Sequence, residues 1–208
     1  VLLGRRGVPS PETAAAIEVL RGSGASVAVM AADVADLPAL EKVLAQIAAH
    51  GPPLSGIVHA AGVLDDGVLM RQSASRFATV MAPKVRGAWN LHLLTQSLRL
   101  DFFVMFSSMS SLLGVPGQGN YAAANAFLDA LALLRQARGL PGHSMNWGAW
   151  SDGGMAGDQL IKDLLKHGMR PLQPQQAVQA IRATLSGSSA QVMVVDVDWP
   201  RFRPAYER

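Results

Sequence analysis

The stretch FSSMSSLLGVPGQGNYAAANAFLDAL (106–131) decides the fold, because it is typical of a strand end, a glycine-rich turn and a helix in succession. Ser108 stands at the predicted strand end, and Tyr121 follows thirteen positions later, near the predicted helix start. Asn125 lies one helical turn beyond Tyr121. The spacing therefore predicts three polar side chains at one end of a strand and a helix.

A fourth polar residue comes from the upstream stretch APKVRGAWN (82–90), which predicts a helix with Lys84 in its first turn. A phenol has a pKa of about 10, and an ammonium near Tyr121 would lower it. The Ser108 hydroxyl can stabilise a developing oxyanion, and the Asn125 amide can hold a water or a carbonyl that resupplies the proton. Taken alone, each is an ordinary helix or strand residue; together they predict a carbonyl reductase.

The composition of the chain limits the classes of protein to which it can belong. With 208 residues, 50% hydrophobic and 16% charged, the chain can bury one sizeable core. The absence of cysteine excludes disulfides and cysteine-based metal or nucleophile chemistry. No apolar run reaches the roughly 18 residues of a membrane span. The net charge of +3 is scattered, which favours an anionic cofactor or an acidic carrier protein over nucleic acid. A cytoplasmic location is the default expectation.

Strand-like apolar runs alternate with helical periodicity along the chain, which indicates repeated βα units. No repeat and no internal linker is evident. Strands are predicted at 1–4, 26–31, 56–60, 102–107, 143–147 and 191–195. Helices are predicted at 10–22, 36–50, 73–81, 83–98, 120–138, 158–166 and 174–185.

Six stretches in this order resemble the catalytic subdomain of ketoreductases from modular type I polyketide synthases, a branch of the short-chain dehydrogenase/reductase superfamily. In that branch lysine and asparagine are exchanged relative to other short-chain reductases, and here Asn125 takes the position four after Tyr121 while Lys84 lies upstream. The stretches are VLLGRRG (1–7), AADVAD (31–36), IVHAAGVLDDGVL (57–69), APKVRGAWNLH (82–92), FSSMSSLLGVPGQGNYAAANAFLDAL (106–131) and NWGAWSDGGMA (146–156).

The resemblance implies a Rossmann-type doubly wound parallel sheet and NADPH-dependent reduction of a β-ketoacyl thioester on an acyl carrier protein, beside neighbouring synthase domains. A dinucleotide fold begins with a strand and a glycine-rich turn, yet no GxGxxG occurs in this chain. We therefore expect the first strand and glycine-rich loop to be missing, disordered or supplied by another segment. Residues 1–199 would form the catalytic subdomain, and 200–208 an exit tail.

The resemblance places cofactor contacts after the first two strands of the chain. Arg5 and Arg6 stand where a 2′-phosphate would lie, and guanidinium groups suit phosphate, which favours NADPH over NADH. A pair of surface charges is the alternative. Asp33, followed by Val34, would meet the adenine edge, although an aspartate here is also a common loop cap.

Further cofactor contacts are expected at the ends of two later strands. Ala60, Ala61 and Gly62 are small enough for the backbone to approach the cofactor ribose. Asn146 and Trp147 end a strand near the expected nicotinamide. The histidines show no metal-ligand spacing, so no metal site is predicted.

The segment Leu64-Asp65-Asp66 resembles the LDD marker of B-type ketoreductases, which yield the D-configured hydroxyl; an ordinary acidic turn is the alternative. Leu113, eight positions before Tyr121, agrees with that type, since A-type domains carry tryptophan there.

The glycine-rich segment 148–170 is the remaining expected part of the substrate site. It contains Met155 and is predicted to be a mobile lid over the substrate, with a plain surface loop as the alternative.

Two other functions fit the same residues. One is a catalytically silent domain that keeps the fold and docks carrier proteins. The presence of all four predicted catalytic residues argues against this function. The other is an independent short-chain dehydrogenase acting on a small alcohol or ketone, which the exchanged lysine and asparagine disfavour.

Overall fold

The computed structural model describes residues 1–7, 10–151, 154–205 and 207. The predicted lid therefore includes two positions outside the described residues, Asp152 and Gly153, and the predicted exit tail includes two more, Tyr206 and Arg208. The chain forms two compact units. The first comprises residues 1–54 and 86–99, and the second comprises 55–85 and 100–208.

The strands of the described residues are β1 Leu2–Gly4, β2 Val29–Ala31, β3 Gly56–His59, β4 Phe102–Ser108, β5 His143–Trp147, β6 Met169–Arg170, β7 Gln191–Val194 and β8 Asp196–Val197. The α-helices are α1 Pro11–Gly22, α2 Leu37–His50, α3 Ala74–Met81, α4 Gly87–Thr95, α5 Ser110–Leu113, α6 Gly119–Ala137, α7 Asp158–Lys166, α8 Pro174–Leu185 and α9 Trp199–Phe202. Short 3₁₀ helices span Leu69–Arg71 and Arg203–Ala205, and a π-helix spans Ala82–Arg86.

The first unit contains the parallel pair β1 and β2 together with α1, α2 and α4. Two of its helices, α1 and α2, begin where capping chemistry predicts. The Ser10 hydroxyl accepts from the Thr13 N–H, with Pro11 in the first turn. The Asp36 carboxylate caps α2 by accepting from the Ala39 N–H at 3.1 Å. Helices α2 and α4 pack together.

The second unit is built on a four-stranded parallel sheet in the order β3-β4-β5-β7. All four strands run in the same direction, so their carboxyl ends meet at one edge, where α/β proteins bind ligands. Ser108 and Trp147 are paired at that edge, as the last residues of β4 and β5.

Alternation along β4 and β5 sends side chains to both faces of this sheet, and each face carries a helix. On one face Ala177 of α8 packs with Val104, Met145 and Trp147. On the other lies α6, whose Arg135 guanidinium stacks on the Phe103 ring at 3.9 Å from the ring centroid. The predicted arrangement, a parallel sheet with helices on both faces, is confirmed in this unit.

Several features were not predicted. The start of the helix predicted at 83–98 is a π-helix over residues 82–86, the segment 110–113 is α-helical, and β6 pairs antiparallel with β8. Residues 199–205, which include the start of the predicted tail, are also helical, and Phe202 packs against Met109, Leu164 and Met169. The division at residue 199 stays a prediction.

Candidate active site

A π-helical turn carries Lys84. Pro83 has no N–H to give to the helical ladder, and the chain widens into a π-helix from Ala82 to Arg86. The sequence places Lys84 in the first turn of a second helix; it lies instead in the turn that precedes α4. This turn puts the Lys84 side chain, 2% exposed, against the Phe106 carbonyl, to which Nζ donates at 2.9 Å.

Tyr121 lies in the first turn of α6, and the Lys84 Nζ is 5.3 Å from its ring centroid. Burial raises the pKa of Tyr121, and the charge of Asp66 adds to this, while the side chains of Asn125 and Ser108 lower it. The net lowering expected from Lys84 is therefore not found in this structure, because burial dominates. Burial likewise lowers the pKa of Lys84 to about 8.

Ser108 and Asn125 both lie close enough to Tyr121 to influence its phenol. The Ser108 Oγ accepts from the Ser110 N–H at 3.2 Å. Asn125 is fully buried and its Nδ2 donates to the Tyr121 carbonyl at 2.9 Å. Its Oδ1 has no hydrogen-bond partner among the described residues. Since buried acceptors are nearly always paired, this atom is suited to receive a hydrogen bond from water or a ligand.

These residues meet at a cavity of about 490 Å³ at the carboxyl edge of the sheet. Its lining includes Ser108, Tyr121, Lys84, Leu64, Trp147 and Met155. The structure thus brings three of the four predicted catalytic side chains to one cavity, with Asn125 buried behind them. Leu113 is not in the lining, and packs against the Met109 and Leu164 cluster instead.

The end of β3 supplies the backbone wall of this cavity. Ala60 and Gly62 line it, whereas Ala61 does not. A side chain at position 62 would crowd the site, because a Cβ there would lie 3.1 Å from Lys84 Cε and 3.4 Å from Met155 Cε. Glycine at this position therefore leaves room for the Lys84 and Met155 side chains beside the backbone.

The predicted Asn146 contact with a cofactor is not supported for its side chain. Asn146 is fully buried, and its Nδ2 is 2.9–3.0 Å from the two carboxylate oxygens of Asp129, on the α6 side of the sheet. Its Oδ1 has no hydrogen-bond partner among the described residues, and its contact with a cofactor stays a prediction. Trp147, on the alternate face, does line the cavity.

The remaining cofactor candidates lie in the first unit. Arg5 and Arg6 follow β1 and are exposed. The Asp33 carboxylate accepts from the Ala35 N–H at 2.9 Å, the loop-cap alternative raised above. The carbonyl of the buried Val34 accepts from Asn90 Nδ2 at 3.1 Å. The roles of these four residues toward a dinucleotide stay predictions.

The three side chains of the LDD segment make three different kinds of contact. Leu64 lines the cavity and packs near Tyr121. The Asp65 carboxylate receives Arg76 Nε at 2.9 Å and Nη2 at 2.5 Å, and these hydrogen bonds lower the pKa of Asp65. The Asp66 carboxylate accepts from Gln118 Nε2 at 2.9 Å. Of the three residues, Leu64 lines the cavity, Asp65 is engaged by Arg76, and Asp66 contacts the cavity wall through Gln118.

Sequence reasoning missed several residues around the site. Arg76 and Gln118 hold the LDD loop, and Asp129 lies buried beneath the catalytic residues. An acid within the apolar run NAFLDAL was the available signal for the last of these. His59 was also not singled out as a site residue: its Nε2 has no hydrogen-bond partner among the described residues, and burial, and secondarily the Lys84 charge, lower its pKa to about 4.

The KR domain family matches residues 1–152, and the chain belongs to this family. It is 47% identical over 207 residues to the polyketide synthase GfsB of Streptomyces halstedii, covering 99% of the chain and 4% of GfsB. The solved PlmKR1 ketoreductase from the first module of phoslactomycin biosynthesis in Streptomyces sp. HK803 is 40% identical, with a TM-score of 0.93, covering 99% of this chain and 48% of that one.

An A-type ketoreductase from a modular polyketide synthase is also similar, at 36% identity and a TM-score of 0.92, covering 99% of this chain and 44% of that one. The predicted Rossmann-like α/β fold is thereby confirmed. The match to an A-type structure means that overall similarity does not separate A-type from B-type domains. Among the described residues no helix is long and apolar enough to cross a membrane, and no group of side chains could hold a metal ion.

Arg76→Ala should loosen the LDD loop, because Arg76 donates to the Asp65 carboxylate and to the carbonyls of Asp65, Asp66 and Arg71. We expect the Gly67 amide, which donates to the Gly117 carbonyl at 2.8 Å, to exchange its hydrogen several-fold faster. Hydrogen exchange read by mass spectrometry is the measurement. Arg71→Ala, which leaves the Arg71 carbonyl in place, is the matched control; equal exchange in both variants would contradict the role of Arg76.

Proposed function

We propose that this chain reduces a β-ketoacyl thioester, carried on an acyl carrier protein, to the β-hydroxyacyl thioester with NADPH as the reductant. The observation that carries the proposal is the convergence of Ser108, Tyr121 and Lys84 on one cavity at the carboxyl edge of the sheet. Membership of the KR domain family supports it. Since the chain spans 4% of GfsB, the acyl carrier protein and neighbouring synthase domains are part of the proposal.

The residues divide the reaction between them. A bound nicotinamide would supply a hydride to the β-carbonyl carbon. The Ser108 hydroxyl donates a hydrogen bond to the carbonyl oxygen and holds it beside the phenol. Tyr121 transfers its proton to that oxygen as the C–O bond becomes single, so the oxygen ends as a hydroxyl.

Proton resupply falls to Lys84 and Asn125. After transfer, the Tyr121 phenolate is stabilised by the Lys84 ammonium, which lies at its ring face. The unpaired Asn125 Oδ1 can order a water behind the tyrosine, since a buried amide oxygen requires a donor. With a pKa of about 8, Lys84 is protonated at neutral pH, and proton supply should fail on the alkaline side of that value.

Preference for NADPH rests on Arg5 and Arg6, which are exposed after β1 and form no ion pair with any residue that the structure describes. A guanidinium can bind a 2′-phosphate with charge-assisted hydrogen bonds, and an aspartate or glutamate at this place would have favoured NADH.

Formation of the D-configured product rests on the LDD segment. The nicotinamide presents one face, so configuration depends on the side from which the thioester arm enters. Leu64 lines the cavity, Asp66 is held by Gln118, and Met155 lies in the segment predicted as a lid. We propose that this loop and Met155 define the two entrances, and that Leu113 acts only through packing.

Tyr121→Phe, in the full-length protein that carries this chain, should reduce turnover by about 10²–10⁴-fold, because general acid catalysis contributes that much. NADPH binding should stay close to wild type, since the phenol is needed for proton transfer. Steady-state NADPH consumption with a β-ketoacyl thioester and a fluorescence titration of NADPH are the measurements. Wild-type turnover by the phenylalanine variant would show that Tyr121 is not the acid.

Arg5→Ala should weaken NADPH by about tenfold or more while leaving NADH nearly unchanged, because a hydrogen bond to a charged group contributes about 1.5–3 kcal/mol. Fluorescence titration of both cofactors gives the two dissociation constants. Arg99→Ala, which removes an exposed charge from the same unit, is the control. Equal losses for both cofactors would contradict contact with the 2′-phosphate.

The unmodified protein should yield mainly the D-β-hydroxy product, because an energy difference of about 1.4 kcal/mol between entrances already gives tenfold selectivity. Asp66→Ala should lower this ratio more than it lowers turnover, whereas Asp101→Ala, an exposed carboxylate at the amino end of β4, should not. Chiral chromatography of the product measures both. A mainly L product would overturn the B-type assignment and leave the reductase assignment intact.

A further inference from the structure

A buried carboxylate lies beneath the catalytic residues and is not used in the reaction proposed above. Asp129 is on α6, four residues after Asn125 and eight after Tyr121, and its side chain is 7% exposed. Burying a charged group without compensation is costly, so its surroundings must offset that cost.

Three uncharged side chains surround the Asp129 carboxylate. The Ser144 Oγ donates to Oδ1 at 2.5 Å, and the Ser111 Oγ donates to Oδ2 at 2.7 Å. The Asn146 Nδ2 lies 3.0 Å from Oδ1 and 2.9 Å from Oδ2. No lysine, arginine or histidine of the described chain forms an ion pair with Asp129. Such a set of donors matches an ionised carboxylate, which can only accept.

The same cluster holds the catalytic segments in place. The Ser111 Oγ is also 3.0 Å from the Ser108 carbonyl, in the turn that follows β4. The Asn146 Nδ2 is also 3.0 Å from the Ser107 Oγ, which donates to the Asn125 carbonyl at 3.3 Å. Asp129 therefore lies at the centre of contacts that join β4, β5 and α6.

The negative charge of Asp129 also acts on Lys84. Burial lowers the pKa of Lys84, and the Asp129 charge is the influence that raises it. The other titratable groups near Lys84 are His59 from β3 and the Tyr121 phenol from α6. His59, with a pKa of about 4, is neutral at pH 7, and Tyr121, with a raised pKa, is neutral as well. Asp129 is thus the charged group that partly offsets the lowering of the Lys84 pKa by burial.

We propose that Asp129 is a positioning residue of this site, which fixes the Ser108 turn against α6 and supplies a buried negative charge beneath the catalytic residues. It is not part of the cavity lining, and it acts through Ser108, Asn125 and Lys84. This inference rests on the proposed function for its role in turnover, whereas the hydrogen bonds that surround the Asp129 carboxylate do not depend on it.

The test is Asp129→Asn in the full-length protein, because asparagine keeps the size of the side chain and removes its charge. On the alkaline side of the pH profile, we expect kcat of the variant to begin falling at a lower pH than kcat of the wild type. The ratio of kcat at pH 8.5 to kcat at pH 6.5 should drop about threefold, as a shift of about half a pH unit would produce. KM should change less than about twofold, since no substrate contact is lost.

A second variant covers the case in which Asp129→Asn fails to fold. Ser111→Ala combined with Ser144→Ala removes two of the three side chains that hold the Asp129 carboxylate in place. As in Asp129→Asn, kcat should begin to fall at a lower pH than in the wild-type protein, because the carboxylate is no longer held beneath the site. Ser186→Ala, whose exposed hydroxyl donates to the Arg182 carbonyl, is the control and should leave the profile unchanged.

A readout without turnover separates the two proposals. Labelling with acetic anhydride at a series of pH values, followed by peptide mass spectrometry, gives the pH midpoint at which Lys84 becomes reactive, with the exposed Lys42 as internal control. The Lys84 midpoint should fall in the Asp129 variant and the Lys42 midpoint should not. A lower Lys84 midpoint in a protein that does not reduce β-ketoacyl thioesters would support the charge relation and overturn the proposed function. Unchanged midpoints and pH profiles in folded variants would overturn the role of Asp129.

Discussion

The hydrogen bond from the Ser107 hydroxyl to the Asn125 carbonyl fixes β4 against α6, and the geometry of the site depends on that register. The next residue along β4 is Ser108, and the preceding turn of α6 carries Tyr121. A shift of one residue along the strand would turn Ser108 to the opposite face of the sheet, because side chains alternate. The distance between the serine and tyrosine hydroxyls is therefore set by contacts on the buried face of the sheet.

Burial has opposite effects on the two proton-carrying groups of the site, and this moves their pKa values apart. It raises the pKa of the Tyr121 phenol and lowers that of the Lys84 ammonium to about 8. The Lys84 ammonium is therefore the stronger acid of the two, so it is suited to return a proton to the phenolate that forms when Tyr121 gives its proton away. The sequence alone suggested that Lys84 would lower the pKa of Tyr121; the structure instead shows burial acting on both.

Much of the fold could be predicted because the strands and helices repeat their apolar residues at different periods. The strands that carry Ser108 and Trp147 were located to within a residue, and the helix of Tyr121 began one residue from its predicted start. The π-turn at Lys84 could not be predicted, since π-helices are rare and a break in the apolar pattern there also fits a simple boundary between two helices. Pro83 was the only local signal, and proline is equally common at an ordinary helix start.

Side-chain direction at strand ends was the part of the site that sequence could not supply. Asn146 and Trp147 are neighbours on β5, and only the face toward which each points distinguishes a residue buried against Asp129 from one that lines the cavity. The ion pair of Asp65 with Arg76 spans eleven positions, and no local pattern links the two residues. For anyone who redesigns the stereochemistry of such a domain, the consequence is that the LDD loop cannot be transferred to another domain by itself. Grafting a different loop while keeping α3 would leave Arg76 without its carboxylate, so loop and helix should be exchanged together.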